Sequence, residues 1–117
     1  VMMCIGDEFA IICLDSIDNA NERKNVLRCL IESNKEVICI SEQQVKNFAG
    51  NMIQLIGFNN KKYLVMSQSA YDSLLLSQIK KLQKYCIIIS SSLNTIEACG
   101  GGSARCMIAE IFLPEAN

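Results

Sequence analysis

Three short segments of this sequence resemble one another, and their spacing constrains the folds that are open to the chain. They read VMMCIG at 1–6, MIQLIG at 52–57 and MIAEIF at 107–112, with offsets of 51 and 55 residues. A period near fifty residues indicates one supersecondary unit per repeat, and two such units rarely bury a core unaided. Chance similarity among short apolar strands is the alternative explanation.

Each repeat is predicted to contain strand, strand, helix and strand, in that order. The apolar runs predict strands at 1–5, 9–14, 37–40, 52–58, 63–66 and 86–89. The first helix follows Asn19 and Glu22, which have the spacing of a capping box, and Asn34 closes it. A second, single helix is predicted from about Ser69, with one apolar stripe formed by Tyr71, Leu74, Leu75, Ile79 and Leu82. The polar segments 41–47 and 91–98 can each form about a turn of helix.

The third copy of the repeated strand opens a further unit that stops at Pro114. Either residues ahead of Val1 complete this unit, or the sheet has an open edge. The residue just before the third copy is Cys106, and the residue just before the second copy is Asn51. If the units are arranged radially, equivalent positions converge near one axis. This arrangement predicts Cys106 and Asn51 in one cavity, together with whatever precedes Val1.

Length and charge limit the domain count and the partners. A chain of 117 residues allows one domain, which we expect to cover 1–117. The net charge of −1 favours neither nucleic acid nor an anionic membrane as a partner. No apolar run approaches the roughly 18 residues that span a bilayer, and no signal-peptide pattern opens the chain.

The cysteines indicate a reduced, cytoplasmic protein. There are seven, an odd number, and most of them lie in apolar runs, where a thiol behaves as a small hydrophobe. Zinc is not expected, because the sequence has no CxxC pair and no histidine. Any catalytic machinery that pairs cysteine with histidine must therefore take its imidazole from outside this sequence.

The segment GGGSARC at 100–106 is the strongest candidate for a functional site. Glycines let the backbone approach a ligand closely and adopt positive φ, although a flexible turn is the simpler explanation for the triplet alone. Arg105 is placed to lower the pKa of Cys106 or to serve a structural role. Glu110 is predicted on the same strand face as Cys106, towards the cavity or a cationic partner. Cys99 is either a second thiol near the site or an ordinary loop thiol.

The segments VMMCIGDEFAIICLDSI, FAGNMIQL, LVMSQSAYDSL and GGGSARCMIAEIFLP together resemble the C-terminal part of the guanidino-group-modifying (pentein) superfamily. The branch they resemble most is the bacterial amidinotransferase-like citrulline-utilisation hydrolases, relatives of arginine deiminase and dimethylarginine dimethylaminohydrolase. The resemblance covers essentially all 117 residues, and it is most specific at GGGSARCM and FAGNM.

The resemblance implies a five-bladed α/β propeller of ββαβ units, of which this chain holds two units and the strand that closes the ring. It places Cys106 at the position of the family nucleophile, and Asn51 in the substrate pocket with Gly101, Gly102 and Ser103. The family histidine lies in an HTN-like segment directly ahead of the strand that begins here at Val1. The carboxylates that grip the guanidinium come mostly from the first half of the ring. The missing N-terminal part of the propeller is therefore an expected partner.

The implied activity is that of a hydrolase or amidinotransferase acting on a small guanidino or ureido compound, without a cofactor or a metal. Cysteine would attack the guanidinium carbon to form a covalent thiouronium intermediate, with histidine as general acid and base. A non-catalytic binding module is the alternative, because the same fold occurs in a ribosome-associated initiation factor. The substrate, the choice between hydrolysis and transfer, and the oligomeric state stay open.

Overall fold

The structure, a computed structural model, describes residues 1–114, and it contains two three-stranded sheets with helices between their strands. The last three residues of the predicted domain, 115–117, lie outside the described residues. The strands are β1 (Met3–Ile5), β2 (Phe9–Ile12), β3 (Glu36–Cys39), β4 (Ile53–Ile56), β5 (Lys62–Ser67) and β6 (Ile87–Ser91). The helices are α1 (Ala20–Glu32), α2 (Glu42–Lys46), α3 (Gln68–Ser73), α4 (Leu76–Gln83) and α5 (Asn94–Gly100).

The two sheets have the same topology, which confirms the predicted repeat of strand, strand, helix and strand. In the first sheet β1 pairs antiparallel with β2, and β2 pairs parallel with β3. In the second sheet β4 pairs antiparallel with β5, and β5 pairs parallel with β6. A parallel neighbour requires a crossover connection, and α1 provides it in the first unit while α3 and α4 provide it in the second. This mixed α/β arrangement fits a pentein-like fold.

Helix α1 begins and ends close to the predicted residues. The Asn19 side chain accepts hydrogen bonds from the backbone N–H groups of Asn21 and Glu22, so it acts as the N-cap, but Glu22 makes no reciprocal bond. At the other end Asn34 adopts a left-handed φ of 57°. The N–H groups of Lys35 and Asn34 donate to the carbonyls of Leu30 and Ile31, which is the Schellman pattern of hydrogen bonds.

The predicted single helix after Ser69 is wrong, because the structure contains two helices, α3 and α4. Leu74 and Leu75 between them are extended, with ψ of 141° and 151°. The Gln78 side chain accepts a hydrogen bond from the Leu75 N–H at 2.8 Å and so starts a new helix at that point. The apolar periodicity continues across the break, and for this reason it did not reveal the break.

The predicted third strand, 107–112, is also absent from the structure. Arg105–Met107 forms a 3-10 turn, and within residues 1–114 no strand pairs with the segment that follows it. Ile111 and Phe112 are 79% and 86% exposed. An extended segment becomes a strand only when a neighbouring edge satisfies its backbone, and here none does. Cys106 and Glu110 therefore do not share the face of a strand.

One hydrophobic cluster joins the two units. It contains side chains from β1, β2 and β3 of the first unit and from β5 and α4 of the second, with Met52 between the units. The largest side chains in this cluster are at most 1% exposed: Phe9, Ile11, Ile38, Met52, Leu64, Met66 and Leu82. The two repeats thus share this core, and a second, smaller cluster of Ala10, Ile12 and Leu30 lies within the first unit alone.

A pair of buried glutamines forms a second link between the units. Gln44 in α2 and Gln78 in α4 are each 8% exposed, and the Gln44 Nε2 donates to the Gln78 Oε1 at 2.7 Å. The remaining Nε2 hydrogens reach the carbonyls of Ser73 and Cys39 in the opposite unit. Gln44 also completes a capping box with Ser41, so α2 is fixed both at its own N-terminus and against the second unit.

Candidate functional site

Cys106 lies in the 3-10 turn that follows α5 and the glycine segment, residues 100–102, and its side chain is exposed. The turn is closed by a hydrogen bond of 3.1 Å from the Cys106 N–H to the Ser103 carbonyl. The other cysteines differ from it in their surroundings. Cys4 and Cys86 are buried, and burial raises the pKa of each thiol to about 11, so these two are inert at neutral pH.

Asn51 occupies the connection from α2 to β4, and its side chain contacts the cysteine directly. Its Nδ2 donates a hydrogen bond to the Cys106 Sγ at 3.0 Å. Its Oδ1 accepts one from the Arg105 N–H, also at 3.0 Å. Because the Arg105 N–H can only donate, it holds the oxygen of the amide, and the NH₂ group is left facing the sulfur. Asn51 is only 3% exposed, so this orientation is set by the surrounding protein.

The groups around Cys106 favour its thiolate form. The hydrogen bond from Asn51 lowers the pKa of the Cys106 thiol most, followed by a backbone hydrogen bond from Ser103. Burial opposes these two hydrogen bonds with a smaller effect, and the positive charge of Arg105 makes a still smaller contribution that lowers the pKa. A thiolate is the reactive form of cysteine, so these groups favour the more reactive form of this thiol.

The start of the first repeat lies beside the same site. A Cβ at Gly50 would collide with the carbonyl oxygen of Val1, so only glycine allows the two segments to come this close. Gly50 directly precedes Asn51, and Asn51 contacts Cys106. Cys106 and Asn51, the positions ahead of the third and second copies, are thus in contact, and Val1, the first residue of the first copy, lies beside Gly50.

The glycine segment has a different role at each position. Gly101 has a φ of 69°, a conformation that favours glycine, and a Cβ there would meet no atom within 4 Å. A Cβ at Gly102 would lie 3.1 Å from the Cys106 Cβ and 3.2 Å from its Sγ. Gly102 therefore leaves room for the thiol, while Gly101 presents bare backbone to open space beside it.

Ser103, like Asn51, is a predicted substrate contact whose side chain is buried, and it is 0% exposed. Its hydroxyl donates a hydrogen bond of 2.8 Å to the Glu97 Oε1 in α5. A direct contact between this hydroxyl and a substrate stays a prediction. Glu97 was not identified from the sequence, although it carries the one carboxylate of α5, a helix that directly precedes the glycine segment.

Glu110 and Cys99 are not part of the contacts described above. Glu110 lies at a separate cavity of about 370 Å³, whose lining includes Asp7 and Gln54 but not Cys106 or Asn51. Cys99 is exposed on α5, and all seven cysteines are free thiols. Within residues 1–114, no three side chains of His, Cys, Asp or Glu are grouped so that they could hold a metal ion. In the same part of the chain, none of the helices has the length and apolarity needed to cross a bilayer.

The comparisons with known proteins give one match. The sequence model of a family described as N,N dimethylarginine dimethylhydrolase, eukaryotic, matches residues 1–113. This range includes β1 to β6, Asn51, the glycine segment and Cys106. No curated protein and no solved structure matches the chain.

Proposed function

Because this chain belongs to the eukaryotic N,N dimethylarginine dimethylhydrolase family, we propose that it carries the nucleophile for hydrolysis of methylated arginine. The family indicates a hydrolase that acts on guanidino compounds. We propose Cys106 as the attacking residue, with Asn51 as the side chain that stabilises its thiolate. The match supports the family but not the bacterial amidinotransferase branch that the sequence predicts. We therefore propose water, and no other acceptor, as the second reactant.

One observation carries the proposal: an exposed thiol accepts a hydrogen bond from an amide whose orientation is fixed. A guanidinium carbon is a weak electrophile, because its positive charge is spread over three nitrogens. A strong nucleophile is therefore required, and the thiolate of cysteine is the best that a side chain provides. A bound guanidinium cation would stabilise the thiolate further, because opposite charges close together favour the charged form.

The proposed reaction has two steps. In the first, the Cys106 thiolate attacks the guanidinium carbon, a C–S bond forms, and the C–N bond to the methylated nitrogen breaks. The methylated amine leaves with an added proton, and a covalent thiouronium remains on the sulfur. In the second step water adds to the same carbon, the C–S bond breaks, and the product carries a ureido group in place of the guanidino group. The thiolate is regenerated.

The proton transfers need a residue that this sequence does not contain. A general acid must protonate the leaving amine and a general base must activate the water, and histidine is the side chain suited to both at neutral pH. The sequence has no histidine. We therefore propose that the imidazole and the remaining blades of an α/β propeller come from residues outside this sequence. A cytoplasmic location likewise stays a prediction.

Substrate binding is proposed at the surface formed by Asn51 and the glycine segment. Gly101 and Gly102 expose backbone next to the thiol, where a flat guanidinium group can approach without meeting a Cβ. Ser103 is proposed to contribute through its backbone, since its side chain is buried. The arginine carboxylate and ammonium would be bound by groups elsewhere in the complete ring.

The test is alkylation of the chain with 2-chloroacetamidine, a cation shaped like a guanidinium group. Cys99 is a matched comparison, since it is also exposed and lies seven residues ahead of Cys106 in the sequence. We expect Cys106 to be modified at least about tenfold faster at pH 7, because the hydrogen bond from Asn51 stabilises its thiolate. Peptide mass spectrometry measures both rates in one sample.

Equal rates at the two cysteines would contradict the nucleophile assignment and would favour a non-catalytic binding module. Iodoacetamide, which is neutral, serves as the control reagent for simple accessibility. A preference for Cys106 that is larger with the cationic reagent supports a guanidinium site, because only that reagent gains from the anionic sulfur. We also expect no hydrolysis of dimethylarginine by these 117 residues alone, since they lack histidine.

A further inference from the structure

Glu97 and Ser103 form a contact that the proposed reaction does not use. Ser103 is 0% exposed, and its hydroxyl donates to the Glu97 carboxylate at 2.8 Å. A hydroxyl that is buried without a partner is costly, so this bond fixes where Ser103 can lie. Glu97 belongs to α5, whose N–H at that position donates to the Leu93 carbonyl, so the acceptor itself is held by a helix.

The segment between the end of α5 and Cys106 is anchored by the buried Ala104 and by the hydrogen bond from the Arg105 N–H to Asn51, and the glycines that precede these anchors are its least restrained part. These glycines are Gly100, Gly101 and Gly102, and glycine has more backbone freedom to lose than any other residue. A Cβ at Gly100 or Gly101 would meet no other atom within 4 Å, so both lie in open space. The bond from Ser103 to Glu97 closes this segment against α5 and limits its movement.

Ser103 in turn determines the position of the thiol. Its carbonyl accepts the hydrogen bond from the Cys106 N–H at 3.1 Å, and its neighbour Gly102 packs against the cysteine side chain. A shift of Ser103 would move Cys106 away from the Asn51 amide, which lies on a different element. The contacts thus run from α5 through Ser103 to the sulfur.

We propose that Glu97 is a positioning residue, which acts through the Ser103 hydroxyl to hold Cys106 within hydrogen-bonding distance of Asn51. Its carboxylate works here as a hydrogen-bond acceptor, and its negative charge is incidental to this role. The inference deepens the proposed function, since it assumes that Cys106 is the nucleophile. The charged side chain that acts on the thiol is Arg105, and its positive charge favours the thiolate.

The hydrogen bond between Ser103 and Glu97 and the negative charge of Glu97 can be removed separately. Ser103→Ala removes the hydrogen bond and keeps the charge, whereas Glu97→Gln removes the charge and keeps an acceptor oxygen. Glu97→Ala removes both. Thr95→Ala, at an exposed position on the same helix, controls for general effects on α5.

The measurement is the rate of iodoacetamide alkylation at Cys106 between pH 5 and 10, resolved by peptide mass spectrometry on the 117-residue chain. We expect Ser103→Ala and Glu97→Ala to move the midpoint to higher pH and to lower the rate at pH 7 roughly three- to tenfold. Glu97→Gln should recover most of the rate lost in Glu97→Ala, and Thr95→Ala should match the unchanged protein.

Two results would overturn the proposal. If Glu97→Gln and Glu97→Ala both shift the midpoint to lower pH, the carboxylate acts through its charge. If Ser103→Ala keeps the original profile and circular dichroism shows that it is folded, the bond does not position the thiol. Should Glu97→Ala fail to fold, Glu97→Asp replaces it, because it keeps the charge while shortening the side chain. A slow Cys106 in the unchanged protein would instead contradict the proposed function itself.

Discussion

The side chain of Asn51 illustrates how a single backbone N–H can decide the chemistry of a neighbouring residue. The Arg105 N–H takes the amide oxygen, and the amide nitrogen is then directed to the Cys106 sulfur. Aspartate has the same shape but no hydrogen to donate, so it would place a carboxylate oxygen against the sulfur. Two negative charges at that distance repel each other, and the protonated thiol would be favoured.

We therefore expect Asn51→Asp to raise the pKa of the Cys106 thiol and to slow its alkylation at pH 7 by about tenfold or more. The measurement is again the pH dependence of iodoacetamide alkylation at Cys106. Asn47→Asp makes the same change of charge in the same connection, without a contact to the sulfur, and should leave the profile in place. An unchanged profile in Asn51→Asp would show that the amide does not set the reactivity of this thiol.

Sequence register identified Asn51 and Cys106 as neighbours, because equivalent positions in a repeat occupy equivalent places around an axis. It did not identify Glu97, whose contact in the structure is with the hydroxyl of Ser103. Ser103 was expected at the substrate for its place in GGGSARC, and its burial was not apparent. A serine that packs inward and one that faces a ligand have the same spacing from the cysteine, so only the path of the backbone distinguishes them.

At the scale of the elements, the pair Gln44 and Gln78 forms a buried polar link between the units. Each glutamine caps the helix that carries it and also bonds to the opposite unit. Buried amides are stabilising only while all their hydrogen-bonding groups have partners. The pair therefore specifies one arrangement of α2 against α4, and α2 leads through a short turn to Asn51.

We expect Gln44→Ala to lower the free energy of unfolding by about 2–4 kcal/mol, because it leaves Gln78 buried with a partner missing and opens a small cavity. Urea denaturation followed by circular dichroism measures the change. Gln43→Ala, on the exposed side of the same helix, should cost less than about 0.5 kcal/mol. A double variant with leucine at 44 and 78 should be less destabilised than the sum of the single changes, and simple additivity would contradict a direct coupling.

The order of strands and helices was predictable because it follows from local periodicity. The two wrong predictions, a single helix after Ser69 and a strand at 107–112, concern features that depend on long-range contacts. The break at Leu74 depends on Gln78 accepting the Leu75 N–H, and Gln78 is held in that place by Gln44 from the other unit. The segment 107–112 has the composition of a strand. Its pairing depends on an available edge, and an edge is a property of the assembled fold.

At the scale of the whole molecule, a cluster of charged and polar groups joins β3 to the start of β6. Glu36 accepts hydrogen bonds from Lys84 and Tyr85, and these bonds lower the pKa of its carboxyl below the ordinary value. A carboxyl whose pKa is lower in the folded state stabilises that state above its unfolded pKa of about 4.3. The contribution is lost as the pH falls through the lower, folded value.

We accordingly expect the difference in melting temperature between the unchanged protein and Glu36→Gln to be largest above about pH 5 and to shrink towards pH 3. Thermal melts at half-unit steps of pH measure it. Lys84→Met should reduce the same acid dependence, and Lys80→Met, on the same helix and exposed, should not. The effect is modest because Lys84 is largely solvated and salt screens the pair. A difference that does not vary with pH would show that Glu36 has no linked titration.

The unpaired run MIAEIF at 107–112 has a practical consequence for anyone who handles this polypeptide. Three of its six residues are β-branched or aromatic, it has a single charge and no proline, and Ile111 and Phe112 face water. Such a run readily pairs with an exposed edge strand of a neighbouring molecule, as in domain swapping or fibril growth. We therefore expect the protein to aggregate at high concentration, and we expect Ile111→Lys to reduce this aggregation.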